Sequence, residues 1–370
     1  MSGSRRGDLR ELYAQQLAAR GFQEDEGQLA VVGHLDLLRR RLIDAAGVAA
    51  GARGLLAKLR RGPTPAIRGV YLCGGVGRGK TWLMDLFFNS LPFAERRRRH
   101  FHRFMQETHT ALKALGEVSS PLEQVAEGIA REARVLCFDE LFVSDIADAM
   151  ILGTLFEALV RRHVTLVFTS NVAPRDLYKD GLQRQRFIPA IEILERHTQV
   201  IALDGAVDYR LRQLTQAGTY LPSSDVDTPQ RLEKLFHEMA DGTGHSGGTL
   251  DIEGRAIPIV REAGSVVWFD FAALCEGPRS AADYIEIARD YQTVILSDVP
   301  VLDETRDNAA RRLIALVDEL YDRNVNLIVS AAAAPSELYS GERLRLQFAR
   351  TASRLVEMQS EEYLAREHRG

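Results

Sequence analysis

The sequence contains few cysteines, no long apolar run and little net charge. Its 370 residues include three cysteines, whose scattered positions match neither a disulfide framework nor a zinc site. No run of about 18 apolar residues occurs, so the sequence predicts no membrane-spanning helix. No apolar stretch follows the first residues, as a secretory signal requires. We therefore expect a cytosolic protein with buried, reduced cysteines, unless a partner carries it elsewhere.

The balance of charge argues against one broad class of function. Lys and Arg together number 47 and Asp and Glu 51, for a formal net charge of −4. General nucleic-acid binders usually carry a clear basic excess, so nucleic acid is not an expected partner. The exception is a local run, Arg96–Arg99, which we interpret as a solvated helix end or loop, with nucleic-acid contact as the alternative.

A complete phosphate-binding loop is the strongest positive signal. Its eight residues fit G-x-x-x-x-G-K-T and are Gly74, Gly75, Val76, Gly77, Arg78, Gly79, Lys80 and Thr81. An apolar segment, 68–73, precedes the loop as a predicted strand, and 82–88 follows it as a predicted helix. In that context the glycines let backbone N–H groups surround a phosphate at a helix N-terminus. Lys80 is then expected to reach the β- and γ-phosphates of ATP, and Thr81 to ligate Mg²⁺.

The pattern along the chain predicts three regions. Residues 1–65 form an N-terminal helical region, because apolar residues from Leu29 to Leu42 follow a helical period. Residues 66–215 alternate strands and helices, which is typical of a parallel sheet flanked by helices, and they form the P-loop core. Residues 216–370 form a C-terminal α/β region. Within the core, the second strand is predicted at His100–Phe104, followed by a helix at Gln106–Leu115.

Two carboxylates follow the next strong apolar strand. Asp139 and Glu140 end the segment that begins at Val135, about 60 residues after the phosphate loop. Ligand sites in α/β sheets lie at such strand ends. We therefore expect Asp139 to hold Mg²⁺ and Glu140 to polarise the attacking water as general base.

The strand after that one ends in a polar residue, Asn171. It is placed to orient the water between Glu140 and the γ-phosphate; the alternative is a structural turn before Pro174. Two arginines follow, Arg184 and Arg186. Either is a candidate arginine finger for a neighbouring subunit's γ-phosphate, and surface ion pairing is the alternative.

An internal similarity links the two halves of the chain. Residues 155–178 align with 316–339 without gaps and share 9 of 24 positions. That alignment pairs Asn171 with Ala332. Upstream, we align Arg134–Asp139 with Thr293–Asp298, which pairs Glu140 with Val299. The hypothesis is a degenerate, non-catalytic repeat, and the alternative is convergent strand–turn–helix sequence.

Taken together, these segments resemble the ZapE family of AAA+ ATPases, a bacterial cell-division family related to a mitochondrial AAA-type ATPase. The segments that carry the resemblance are 74–81, 101–105, 138–140, 169–171, 181–187, 283–285 and 350–355. The resemblance implies nucleotide binding by Gly74–Thr81, magnesium binding and water activation by Asp139 and Glu140, and sensing by Asn171. It further implies a homo-oligomer, recruited to the division site, that destabilises polymers of the tubulin-like protein FtsZ.

Three further features remain open from the sequence. Phe104 and Met105 follow the predicted second strand, where AAA+ proteins often carry a substrate-gripping pair; the alternative is ordinary core. Arg350 or Arg354 is either a lid arginine or a partner of Glu357 or Glu361. Asp25 and Gln28 either approach the adenine or cap a helix.

The sequence supports competing functions. The first is an ATP-hydrolysing remodeller that acts as an oligomer. The second is a nucleotide-switched binding scaffold with little turnover. A helicase-loader-like DNA protein shares the core but predicts salt-sensitive nucleic-acid binding, and no acceptor-site motif favours a small-molecule kinase.

Overall fold

The computed structural model describes residues 8–20, 24–50, 66–75, 77–116, 118–143, 145–203, 209–240, 245–252, 254–366 and 368–369. The chain forms two compact units, Met1–Val207 and Asp208–Gly370. The division into 1–65, 66–215 and 216–370 stays a prediction. Among the described helices, none is long and apolar enough to cross a membrane. The three cysteines are buried and form no disulfide, as expected.

The first unit alternates strands and helices after a helical start. Its helices are α1 (Leu9–Arg20), α2 (Glu26–Ala50), α3 (Lys80–Ser90), α4 (Phe101–Leu115), α5 (Pro121–Glu132), α6 (Ile146–Arg161) and α7 (Ile188–His197). Its strands are β1 (Gly69–Cys73), β2 (Arg96–His100), β3 (Val135–Asp139), β4 (Thr165–Ser170) and β5 (Thr198–Ala202). Short 3₁₀ helices lie at Pro174–Asp176 and Arg184–Arg186. Residues 51–65 of the predicted helical region lie outside the described residues.

The five strands form one parallel sheet in the order β2-β3-β4-β1-β5. Alternate residues of the central strands enter two different cores, because successive side chains of a strand point to opposite faces. Val70 and Leu72 pack with α1, α2 and α3 on one face, whereas Tyr71 packs with α4, α6 and α7 on the other. The predicted α/β class, a parallel sheet flanked by helices, is confirmed.

The second strand was misplaced by the sequence pattern. The prediction of a strand at His100–Phe104 is wrong: β2 is Arg96–His100, and α4 begins at Phe101. An apolar segment indicates a buried strand only where apolar residues of neighbouring elements cover both faces of the sheet. Both faces of β2 carry arginine side chains. The apolar residues on which the prediction depended belong to α4.

The predicted pore pair is part of the core. Phe104 and Met105 lie in the first turns of α4 and are 4% and 1% exposed. The ring of Phe104 packs edge-on against Phe138 of β3, with 4.6 Å between centroids. Because neither side chain faces solvent, the substrate-gripping interpretation is wrong and ordinary core packing explains both residues.

The second unit contains a mixed sheet and a separate hairpin. Its helices are α8 (Tyr209–Ala217), α9 (Thr228–Met239), α10 (Ala281–Asp290), α11 (Asp307–Asp322), α12 (Arg345–Glu357) and α13 (Glu361–Leu364), with a π-helical turn at Ala272–Glu276. Its strands are β6 (Tyr220–Pro222), β7 (His245–Ser246), β8 (Thr249–Ile252), β9 (Arg255–Pro258), β10 (Arg261–Ala263), β11 (Val266–Asp270), β12 (Thr293–Val299) and β13 (Asn326–Ala331). The large sheet has the order β6-β13-β12-β11-β10-β7, and β8 pairs with β9.

Four parallel strands of this sheet match four strands of the first. The order β11-β12-β13-β6 corresponds to β2-β3-β4-β1, and all of these neighbours are parallel. Individual contacts match too. The Tyr71 hydroxyl donates to the carbonyl of Val172, and the Tyr220 hydroxyl donates to the carbonyl of Ala333. Shared strand order with shared contacts is what the repeat hypothesis predicts.

The structure corrects the alignment between the halves by one residue. The Glu140 N–H donates to the Thr169 hydroxyl (3.0 Å), and the Asp298 N–H donates to the Ser330 hydroxyl (2.8 Å). Both Glu140 and Asp298 have positive φ, 53° and 61°. Asp298 therefore occupies the place of Glu140, and Ser297 that of Asp139. The earlier pairing of Glu140 with Val299 is wrong.

The second unit differs from the first where the phosphate loop lies. Between β6 and α9 the chain reads Ser-Ser-Asp-Val-Asp, residues 223–227, without the glycines and lysine of Gly74–Lys80. Ser297 and Ala332 replace the carboxylate of Asp139 and the amide of Asn171. Lys80, Asp139 and Asn171 therefore lie in the first unit, and the matching positions of the second unit lack these side chains.

Candidate nucleotide-binding site

The phosphate loop joins β1 to α3, and two of its described glycines leave no room for a side chain. Gly74 has φ 149°, and a Cβ there would lie 2.4 Å from the carbonyl oxygen of Leu203. Gly79 has φ 79°, and its Cβ would lie 2.9 Å from Nε2 of Gln28. Side chains at these positions would therefore displace the loop. Val76, predicted to line the phosphate, lies outside the described residues.

Lys80 is held at the centre of the loop. Its side chain is nearly buried, and Nζ donates to the carbonyls of Gly74 (2.6 Å) and Gly75 (2.7 Å). Nζ also donates to Oδ1 of Asn171 at the end of β4 (3.1 Å). The structure thus brings the loop lysine and Asn171 together at the carboxyl ends of β1 and β4.

Asp139 meets the loop helix through Thr81. The Thr81 hydroxyl donates to Oδ1 of Asp139 (2.9 Å), and the Thr169 hydroxyl donates to the same oxygen (2.6 Å). Burial alone would raise the pKa of Asp139. The Arg98 guanidinium, together with His100 and the Thr169 hydroxyl, outweighs that effect and lowers the pKa to about 2. Asp139 is therefore a carboxylate at neutral pH.

Glu140 leaves the strand with an uncommon backbone conformation. Its φ of 53° is unusual for a residue with a long side chain, and the Thr169 hydroxyl holds its N–H at 3.0 Å. Strained backbone of this kind is often found at functional sites. Glu140 is half-buried, in contrast to the fully buried Asp139 beside it.

The two candidate finger arginines lie in different surroundings. Arg184 is half-buried: its Nη2 donates to the carbonyl of Arg175, and its Nε is buried without a hydrogen bond among the described residues. Arg186 is exposed, and its Nη1 lies 4.0 Å from Sδ of Met150 on α6. Arg186 is therefore the more accessible guanidinium of the two.

The candidate lid arginines pair with acidic residues of α11 in the second unit. Arg354 is 13% exposed, bonds to Asp318 and Asp322, and stacks over Tyr321 at 4.6 Å. Arg350 is 65% exposed and approaches Asp318 at 3.8 Å. The expected alternative partner, Glu357, instead accepts from the Tyr321 hydroxyl (2.8 Å) and pairs with Arg366.

Gln28 has a position that the sequence did not suggest. Its Nε2 donates to the carbonyl of Arg78 in the loop (3.0 Å), and its Oε1 accepts from the Tyr13 hydroxyl (3.0 Å). Asp25 caps α2 by accepting from the Gln28 N–H (2.9 Å). Tyr13 of α1 and Gln28 of α2 thus form a chain of hydrogen bonds that ends on the phosphate loop. Tyr13 and Gln28 lie 65 and 50 residues from Arg78, so local sequence carries no signal for these contacts.

The residues present suit a nucleotide and a magnesium ion. Nη1 of Arg78 is buried beside the loop and makes no hydrogen bond to any described residue, as expected of a donor available to an anion. The paired oxygens of Thr81 and Asp139 are the hard ligands that Mg²⁺ prefers. When bound, the ion would neutralise charge on the phosphates.

A parallel α/β sheet with a glycine-rich loop, a buried lysine and strand-end carboxylates defines a P-loop nucleotide-binding protein. Comparison with known proteins makes this more specific: the chain belongs to the AFG1-like ATPase family, whose model matches residues 8–367. The resemblance to the ZapE family inferred from sequence segments is thereby confirmed.

Two relatives illustrate the range of the family. The chain is 46% identical over 363 residues to the cell division protein ZapE of Escherichia coli K12, covering 96% of this chain and 97% of that protein. It is 36% identical over 342 residues to lactation elevated protein 1 homolog B of Danio rerio, covering 80% of this chain and 68% of the relative. The protein is therefore an ATPase of a family with bacterial and animal members.

Proposed function

We propose that the protein hydrolyses ATP with Mg²⁺ at the loop of the first unit. The contact of Lys80 with both the loop and Asn171 carries the proposal most directly, because it joins phosphate binding to the neighbouring strand end. Thr81 and Asp139 would hold the ion, and Gly74–Thr81 the phosphates, with Val76 included on sequence grounds. Lys80 would move from the loop carbonyls to the β- and γ-phosphates when ATP binds.

Glu140 is the proposed general base. It directly follows Asp139 at the end of β3, and its carboxylate would accept a proton from the water that attacks the γ-phosphate. Asn171 would orient that water from the neighbouring strand while sharing Lys80 with the loop. Proton transfer to a positioned carboxylate contributes roughly 10²–10⁴ in rate.

We assign the two arginines of the Arg184–Arg186 turn different roles. Arg186 is the proposed finger, offered to the ATP of a neighbouring copy, because its guanidinium is exposed. Arg184 would position the turn through the carbonyl of Arg175.

The arginine assignment predicts unequal losses. Arg186→Ala should lower turnover about 10²-fold or more, because a donated guanidinium stabilises transition-state charge. Arg184→Ala should cost less, and Arg175→Ala, which changes an 82% exposed arginine nearby, should cost little. Steady-state ATP hydrolysis measures all three.

Mixing Arg186→Ala chains with Glu140→Gln chains should restore activity, since each chain supplies the residue that the other lacks. No recovery at any ratio would exclude donation of the arginine between subunits.

We also propose a cytosolic role at the division site, with FtsZ polymers as the protein partner. The support is the 46% identity to a protein named for cell division, over nearly the full length of both chains. ATP hydrolysis would drive a change of shape that weakens the polymer.

The test is ATP hydrolysis against protein concentration, with and without FtsZ polymers, while light scattering follows the polymers. We expect the rate per subunit to rise with concentration and to change with FtsZ, and scattering to fall when ATP is present. A flat, very slow rate with tight ATP binding would instead support a nucleotide-switched scaffold. Hydrolysis without any effect on scattering would reject FtsZ as the target.

A further inference from the structure

Arg98 connects the phosphate-loop helix to the strand that carries Asp139. It lies in the middle of β2, and its Nη2 donates to Oδ2 of Asp139 (2.6 Å). Its Nη1 pairs with Oδ1 of Asp85 on α3. One guanidinium therefore bridges two carboxylates on two different elements.

Burial makes the loss of one partner of this bridge costly. The side chains of Asp85 and Asp139 are 4% and 1% exposed, and that of Arg98 is 19% exposed. Buried ion pairs are screened little, and losing one partner leaves an uncompensated charge. A planar guanidinium can bridge two carboxylates with fixed geometry, which the point charge of lysine cannot reproduce.

Arg98 and the loop helix contact different carboxylate oxygens of Asp139. Oδ2 receives Arg98, while Oδ1 receives the hydroxyls of Thr81 and Thr169. Asp85 lies one turn after Thr81 on α3, on the same face of that helix. Arg98 thus fixes the position of Asp139 relative to Thr81, the two residues assigned to the metal.

We propose that Arg98 is a positioning residue and a built-in counter-cation, which with Asp85 sets the Mg²⁺ concentration that nucleotide binding requires. The proposal rests on the assignment of Thr81 and Asp139 to the ion. The guanidinium of Arg98 offsets the negative charge of the two carboxylates that it bridges. Adding or removing one charge on these side chains changes their attraction for a divalent cation, because the protein interior screens charges weakly.

The prediction is a pair of opposite shifts. In Arg98→Gln the cluster gains negative charge, so half-maximal binding of mant-ATP should occur at roughly tenfold lower Mg²⁺. In Asp85→Asn the cluster loses negative charge, so half-maximal binding should require roughly tenfold higher Mg²⁺. Arg98→Lys keeps the charge and should keep the Mg²⁺ requirement while lowering kcat, because lysine cannot hold both carboxylates.

The matched control is Arg96→Gln. Arg96 lies two residues away on the same face of β2, but its Nη1 donates to the backbone carbonyls of Phe88 and Leu91. We expect a lower thermal stability and an unchanged Mg²⁺ requirement. Mant-ATP fluorescence titrated with MgCl₂, with thermal unfolding of each variant, is the measurement.

The outcomes separate the two proposals. If the unaltered protein binds mant-ATP independently of Mg²⁺, the metal assignment to Thr81 and Asp139 fails. If it depends on Mg²⁺ but the Arg98→Gln and Asp85→Asn midpoints move in the same direction or stay fixed, the role of Arg98 fails alone. Should Arg98→Gln not fold, Asp85→Asn and Arg98→Lys still test the proposal.

Discussion

The Glu140→Gln variant should bind ATP as the unaltered protein does and hydrolyse it about 10²–10⁴ times more slowly. The substitution keeps the size of the side chain and removes the carboxylate that would accept a proton from water. Binding should persist because the phosphate contacts come from the loop and Lys80. The backbone N–H of residue 140 still reaches the Thr169 hydroxyl, so the strand end should keep its shape.

Single-turnover hydrolysis and equilibrium binding of a fluorescent ATP analogue measure the two effects separately. Glu127→Gln is a suitable control, since that side chain is 52% exposed on α5 and pairs with Arg131. Hydrolysis at an undiminished rate in Glu140→Gln would place the general base on another residue.

The Lys80→Ala variant should lose nucleotide binding by about 100-fold or more. Hydrogen bonds that involve a charged group are worth about 1.5–3 kcal/mol each, and Lys80 is expected to make two or more to the phosphates. Hydrolysis should fall with binding, because substrate no longer occupies the site at ordinary concentrations.

Isothermal titration with ATP gives the affinity, and thermal unfolding shows whether the fold survives. Thermal unfolding is measured because Lys80 also links the loop carbonyls to Asn171, and its loss could lower the stability of the fold. Lys179→Ala is the control: that lysine is 69% exposed and pairs with Asp176. Normal affinity in a folded Lys80→Ala protein would refute the phosphate-loop assignment.

The parallel sheet and the loop region were predictable because their signals are local. Gly74–Thr81 follows an apolar strand and opens a helix, and Asp139 ends a run of apolar residues that is fully buried. Parallel strands place their carboxyl ends at one edge, so the sequence predicts Asn171 near the loop. The structure puts it 3.1 Å from Lys80.

Contacts between distant segments were not predictable. Arg98 meets Asp85 and Asp139, 13 and 41 residues away, and only the folded sheet shows that pairing. The repeat illustrates a different limit. Sequence identity aligned the halves within β4 and β13, but the one-residue correction at Glu140 came from hydrogen bonds to hydroxyls.

The run of arginines in β2 disfavours aggregation of the chain through the edge of its sheet. In the part of the chain that the structure describes, β2 is one of the two edge strands of its sheet, and an unpaired strand edge is a template for aggregation. Arg97 and Arg99 reach Glu132 and Glu107 on one side, so their charges are held close to the strand.

A second β2 laid along this edge would bring two rows of guanidinium groups face to face, and like charges directly opposite each other destabilise a strand pair. Arg98 therefore contacts Asp139 at the nucleotide site, while the run of arginines to which it belongs disfavours growth of the sheet at this edge.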